Sequence, residues 1–110
     1  MTPTRVPEAY SFNAPLGIEA MRSALDRAGL WTWRLNDSDT YGEYLSARPS
    51  DSHSRLRIFR LERDGHYLLD TLYSRQEGAP FLTREELDRM IREELLPAVR
   101  ATDIQEAEAL

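Results

Sequence analysis

Residues 55–74 read RLRIFRLERDGHYLLDTLYS, and this stretch decides the fold. Two runs of alternating character flank Asp64-Gly65, the dipeptide that best fits a tight hairpin turn, because a type I′ turn needs positive φ at both central positions. The spacing predicts strands over residues 55–62 and 66–74. A two-residue turn would set Leu61 opposite Leu68, Phe59 opposite Asp70, Arg57 opposite Leu72 and Arg55 opposite Ser74. The other side would then carry Leu56, Ile58, Arg60 and Glu62 against Tyr73, Thr71, Leu69 and Tyr67. Both faces hold large apolar residues. The side with Leu56, Ile58, Tyr67, Leu69 and Tyr73 is the better core, since its charges Arg60 and Glu62 lie near the turn, within reach of water. The opposite side is then expected to expose Phe59, Leu61, Leu68 and Leu72, framed by Arg55, Arg57 and Asp70. Asp70 lies diagonal to Arg57 on this register, within reach of a cross-strand salt bridge.

Outward from the hairpin, two helices are expected. The first opens near Pro15, carries Ile18, Met21, Leu25 and Ala28 on one stripe, and stops at Gly29. The second has Thr83 as its N-cap, Glu86 in a capping box, and Leu82 with Leu87 as a hydrophobic staple. Glu85 with Arg89 and Asp88 with Arg92 are i,i+4 pairs in the favourable order. Pro97 should kink or end this helix near Leu96. Between the helices, residues 30–35 alternate as a strand, residues 36–40 are rich in turn formers, and residues 41–47 make a second strand. A simple hairpin there sets Trp33 opposite Glu43 and Trp31 opposite Leu45, with Trp31, Trp33, Leu35 and Leu45 on the core side. Residues 48–54 and 76–80 are loops.

The expected architecture is therefore α+β: a two-layer sandwich in which an antiparallel four-stranded meander carries two helices on one face, in the order αββββα. Residues 1–14 read as an irregular N-terminal arm with Tyr10 and Phe12 tucked against the body. Residues 15–101 form one domain, and residues 102–110 an acidic C-terminal tail.

Composition narrows the chemistry. At 110 residues, 41% hydrophobic and 30% charged, the balance is that of one globular domain. The absence of cysteine excludes disulfide frameworks, thiolate zinc sites and cysteine nucleophiles, and fits a reducing cytoplasm. No apolar run follows a basic start at the N-terminus, so no signal peptide is expected, and no stretch approaches the ~20 apolar residues of a membrane span. All 14 basic side chains are arginine, yet the net charge is −5, which disfavours a general nucleic-acid binder.

Candidate catalytic and metal groupings fail on inspection. Asp37, Asp39 and Gly42 match the first, third and sixth positions of a calcium loop, but Tyr41 and Arg48 occupy the fifth and twelfth. His53 lies beside Asp51 and Ser54 without a nucleophile elbow. The other histidine, His66, flanks the hairpin turn. Glu43, Asp70 and Glu94 are the acids expected to be partly buried. No cofactor, metal or catalytic set is assigned.

The function expected is that of a small, non-enzymatic, cytoplasmic interaction protein, inhibitor- or immunity-like or a homodimeric adaptor. It would bind a protein partner or a second copy of itself through Arg55, Arg57, Phe59, Leu61, Leu68, Asp70 and Leu72. On that reading Phe59→Asp or Arg57→Glu abolishes association and spares the fold. Two alternatives stand beside it. One is a small-molecule domain with a pocket between sheet and helices near Trp31, Trp33 and Tyr44. The other is a nucleic-acid-binding sheet surface on Arg55, Arg57 and Phe59, with Arg60 and Arg63 completing the basic stripe.

Overall fold

In the computed structural model, which describes residues 6–49, 54–73 and 83–109, the chain runs β1 (Ala9–Asn13), α1 (Ile18–Arg27), β2 (Arg34–Ser38), β3 (Gly42–Ala47), β4 (Arg55–Arg60), β5 (His66–Leu72), a second helix and β6 (Thr102–Ala107). The second helix begins as α2 (Arg84–Met90), passes through one π-helical turn (Ile91–Leu95) and closes with α3 (Leu96–Ala98). The six strands form one antiparallel sheet in the order β2-β3-β4-β5-β1-β6. The α+β class holds. The expected meander is the contiguous run β2 to β5, and two terminal strands extend it to six.

The first helix stops and the second starts where their capping residues dictate, while the first opens at Ile18, three residues past the expected Pro15 and without a side-chain cap. Gly29, at φ +73°, lets the Gly29 N–H reach the Asp26 carbonyl and the Leu30 N–H reach the Leu25 carbonyl, closing α1 with buried Leu25 and Leu30 in register. Thr83 Oγ1 accepts the Glu86 N–H at 3.1 Å. Leu82, the other half of the expected staple, lies outside the described residues. So do His53, Asp51, Ser74 and the 76–80 loop. At Pro97 the helix is distorted and then ends, two residues past Leu96, at Ala98. The proline ring would collide with an α-helical carbonyl four residues back, and the π turn that precedes it widens the ladder so that one more turn forms.

The core lies between these helices and one face of the sheet. Ile18, Met21 and Leu25 from α1, and Leu87, Ile91, Leu95 and Leu96 from the second helix, pack on Tyr10, Phe12, Leu45, Leu56, Ile58, Tyr67 and Leu69. Each such aliphatic side chain contributes about 1.5–3 kcal/mol of burial. The expected inner face of the β4–β5 hairpin is thus the one that meets the helices.

Four sequence expectations need correction. First, the expected arm and tail each contain a strand. β1 is central, lying between β5 and β6, and buries Ala9, Tyr10 and Phe12. β6 is an edge strand, exposed along nearly all its length, so burial leaves no alternating pattern in its sequence. Second, the β4–β5 register is shifted by two: Phe59 pairs with Leu68, Arg57 with Asp70 and Arg55 with Leu72. The turn holds four residues, because the Leu61 N–H bonds the His66 carbonyl and the His66 N–H bonds Arg63. Gly65, at φ +78°, also offers its carbonyl to the Ala14 N–H at 2.8 Å. An even shift leaves each residue on its expected face. Third, β2 begins at Arg34, pairing Leu35 with Leu45 and Asn36 with Tyr44, four residues from the expected register. Trp31 sits at φ +60°, which ends extension. The Trp33 indole N–H donates to the Leu30 carbonyl at 2.7 Å and carries the ring into the core. The turn moves to residues 39–41, where Ser38 Oγ accepts the Thr40 and Tyr41 N–H groups. Fourth, of the three acids expected inside, only Asp70 is buried; Glu43 and Glu94 are exposed, and Asp88 is buried instead.

Candidate functional site: the outer face of the sheet

Residues paired across antiparallel strands point to the same side, so the register defines two rows on the face away from the helices. One row is Asn36, Tyr44, Phe59, Leu68 and Ser11. The other is Arg34, Ser46, Arg57, Asp70 and Ala9. These rows divide the face into two regions of different chemistry.

The central region is closed. Phe59 is 1% exposed, with Tyr44 stacked on it at 5.0 Å and Tyr41 tilted against it at 5.2 Å between centroids. The Arg57 guanidinium lies 5.0 Å from the Phe59 centroid in cation–π geometry. Arg57 also grips Asp70 with two bonds, Nε to Oδ1 at 2.9 Å and Nη2 to Oδ2 at 2.6 Å. Asp70 is fully buried and the Arg57 side chain is 17% exposed. The hydrogen bond to Asp70 raises the proton affinity of the guanidinium further. The carboxylate is thus neutralised where water does not reach it.

This overturns the expected exposed patch. Phe59 and Leu68 are buried, Leu61 is half-buried at the turn, and of the four apolar residues only Leu72 is exposed. Arg57→Glu would set a second anion against buried Asp70, and Phe59→Asp would bury a carboxylate among aromatic rings. Neither would spare the fold.

The second region, toward β2, is open. A groove of about 730 Å³ is lined by Trp31, Arg34, Asn36, Tyr44, Arg48 and Arg55, among others. The Asn36 amide donates to Ser46 Oγ at 2.8 Å and to the Arg34 carbonyl at 3.2 Å, which joins β2 to β3 beneath it. Among the described residues, none of the three groove arginines meets a carboxylate within salt-bridge distance. Exposed Leu72 pairs with Arg55 on the neighbouring strand and does not line the groove. Of the residues expected to bind a partner, the structure brings only Arg55 to this groove. It commits Arg57 and Asp70 to each other. Trp31, Trp33 and Tyr44 do not line one pocket: Trp33 is in the core, while Trp31 and Tyr44 face the groove. Arg34 and Arg48 are absent from the sequence expectation. The period-two rule puts both on the outer face, since Arg48 continues the Tyr44 and Ser46 row just past β3, but only the observed β2–β3 register brings them together.

Two polar chains elsewhere are structural joints. The Tyr10 hydroxyl donates to Asp88 Oδ1 at 2.5 Å, and Arg92 Nε donates to Asp88 Oδ2 at 2.8 Å, tying β1 to the second helix and closing the expected i,i+4 pair. Burial, and then the bond to Asp88, push the Tyr10 phenol well above its ordinary pKa. The Asn13 Nδ2 amide donates to Asp103 Oδ2 at 2.9 Å, leaving Asn13 Oδ1 to accept from His66 Nδ1 at 2.8 Å, which links β5, β1 and β6. Among the described residues, no cluster of His, Cys, Asp and Glu is arranged to hold a metal ion, and no helix is long and apolar enough to cross a membrane.

Comparison with known proteins returns no match to a family model, to a curated protein or to a solved structure.

Proposed function

We propose that this chain is a non-enzymatic interaction protein that binds a protein partner at the β2 end of its outer sheet face. The observation that carries this is the pairing pattern. On a protein of net charge −5, three arginines without carboxylate partners among the described residues converge with Trp31 and Tyr44 in one concave surface. Arginine, tryptophan and tyrosine are the side chains that dominate binding energy at protein interfaces. A groove that leaves its guanidinium groups unsatisfied gains most when a partner supplies anions. An inhibitor-like or adaptor role follows from such a surface. The alternative pocket between sheet and helices is disfavoured, because Trp33 fills that space.

Site-specific photocrosslinking tests the reading. A photoreactive residue at Thr32 or Ser46, beside the groove, should yield one discrete protein adduct. The adduct should vanish when Arg34→Glu and Arg48→Glu are combined, while a probe at Glu19 on exposed α1 should yield none. Light scattering at two concentrations then separates a second copy of the chain from a foreign partner. Adducts that persist in the double variant, or form equally from Glu19, overturn the proposal.

A further inference from the structure

We infer that the groove receives an extended acidic segment of the partner, added as a further strand on the β2 edge, with acidic side chains on the outer side and apolar side chains on the inner side. This deepens the reading above and rests on it. The two edges of the sheet are unlike. β6 is bulged against β1, carries Asp103 at φ +50° and exposes Asp103 and Glu106, features that discourage another strand from pairing there. β2 pairs with β3 in unbroken register and ends the sheet on its other side. Among the described residues no strand pairs with its far side, which presents backbone donors and acceptors to an incoming chain.

The side chains of β2 specify what that chain carries. A strand added about 4.8 Å from β2 sends alternate side chains to opposite faces. On the outer side they lie beside Arg34, with Arg48 one strand further in, so carboxylates are favoured. On the inner side they meet Leu35, which is 37% exposed although its partner Leu45 is fully buried. An apolar neighbour would complete that cover. Asp37 and Glu43 pair on the same inner side, which disfavours acids there. A nucleic acid fits less well. Asp70 already neutralises Arg57, and the net negative charge opposes a dense polyanion.

The test uses the full chain and a short synthetic peptide alternating glutamate with valine, followed by amide shifts and hydrogen exchange. The expected result is slowed exchange at the β2 amides, with affinity falling about tenfold or more in the Arg34→Glu, Arg48→Glu double variant. Alternate N-methylation of the peptide should abolish binding, and replacing its glutamates by lysine should do the same. Equal binding of the lysine peptide, shifts without protection of β2, or preference for a single-stranded oligonucleotide would each overturn the inference. If the glutamate–valine peptide fails to bind while the groove crosslink persists, this inference falls and the partner-binding reading stands.

Discussion

The two ends of the outer sheet face use the same residue type for opposite purposes. At the centre, Arg57 is locked to buried Asp70 and lies over Phe59. At the β2 end, Arg34, Arg48 and Arg55 line an open groove and, among the described residues, meet no carboxylate. An arginine that satisfies an interior charge belongs to the fold, and removing it exposes the cost of what it neutralised. An arginine at a groove with no internal partner costs the fold little to replace, and its value is realised only when something binds. Position in the register, and not residue type, separates the two.

The sharpest way to break this comparison is charge reversal at the closed end. Arg57→Glu should cost at least about 3–5 kcal/mol, because it leaves Asp70 buried without its counter-charge and adds a second anion. Urea denaturation reads the loss. Replacing both partners by apolar residues of similar volume should recover most of it. Phe59→Ala should follow at about 3 kcal/mol or more in the same assay, since it opens a cavity beneath Tyr41, Tyr44 and Arg57.

Smaller effects come from the joint on the inner face. Tyr10→Phe deletes one bond to the buried Asp88 carboxylate and should cost about 1–2 kcal/mol. It should also change the alkaline limb. The folded state holds the Tyr10 proton more tightly than the unfolded chain, whose phenol ionises near 10. That contribution is fully present below pH 10 and is lost as the pH rises beyond it. Burial raises Tyr67 in the same direction. Stability should therefore fall as the pH passes about 10, and less steeply in Tyr10→Phe. The smallest expected change is at the open end: Arg34→Glu or Arg48→Glu should move stability by no more than ~0.5 kcal/mol while partner binding is lost. A large loss of stability there would mean that the groove arginines serve the fold.

The sequence disclosed some of this and hid the rest for identifiable reasons. The capping residues Gly29 and Thr83 made both helix boundaries legible, because caps act locally. The faces of the β4–β5 hairpin were legible because alternation survives an even register error. The register itself was not, since the turn spans four residues and its Gly65 carbonyl accepts from Ala14, a residue distant in sequence. β1 was half-visible in the alternation of Tyr10 and Phe12 but was masked by the prolines on either side. β6 buries too little to leave a pattern. The groove was missed because Trp31 adopts a left-handed backbone and starts β2 later than its alternation implies. The Arg57–Asp70 pair was anticipated as a diagonal contact, but its depth of burial was not, since that depends on aromatic rings contributed by β3 and the turn before it.

The most direct test is the hydrogen exchange of the arginine Nε–H groups in the free protein, measured by NMR. Arg57 should exchange slowly, held by Asp70 and shielded above Phe59, while Arg34, Arg48 and Arg55 should exchange at the rate of free side chains. If Arg57 exchanges as fast as those three, or if any of the three is as protected as Arg57, the division of this face into a closed structural end and an open binding end is wrong.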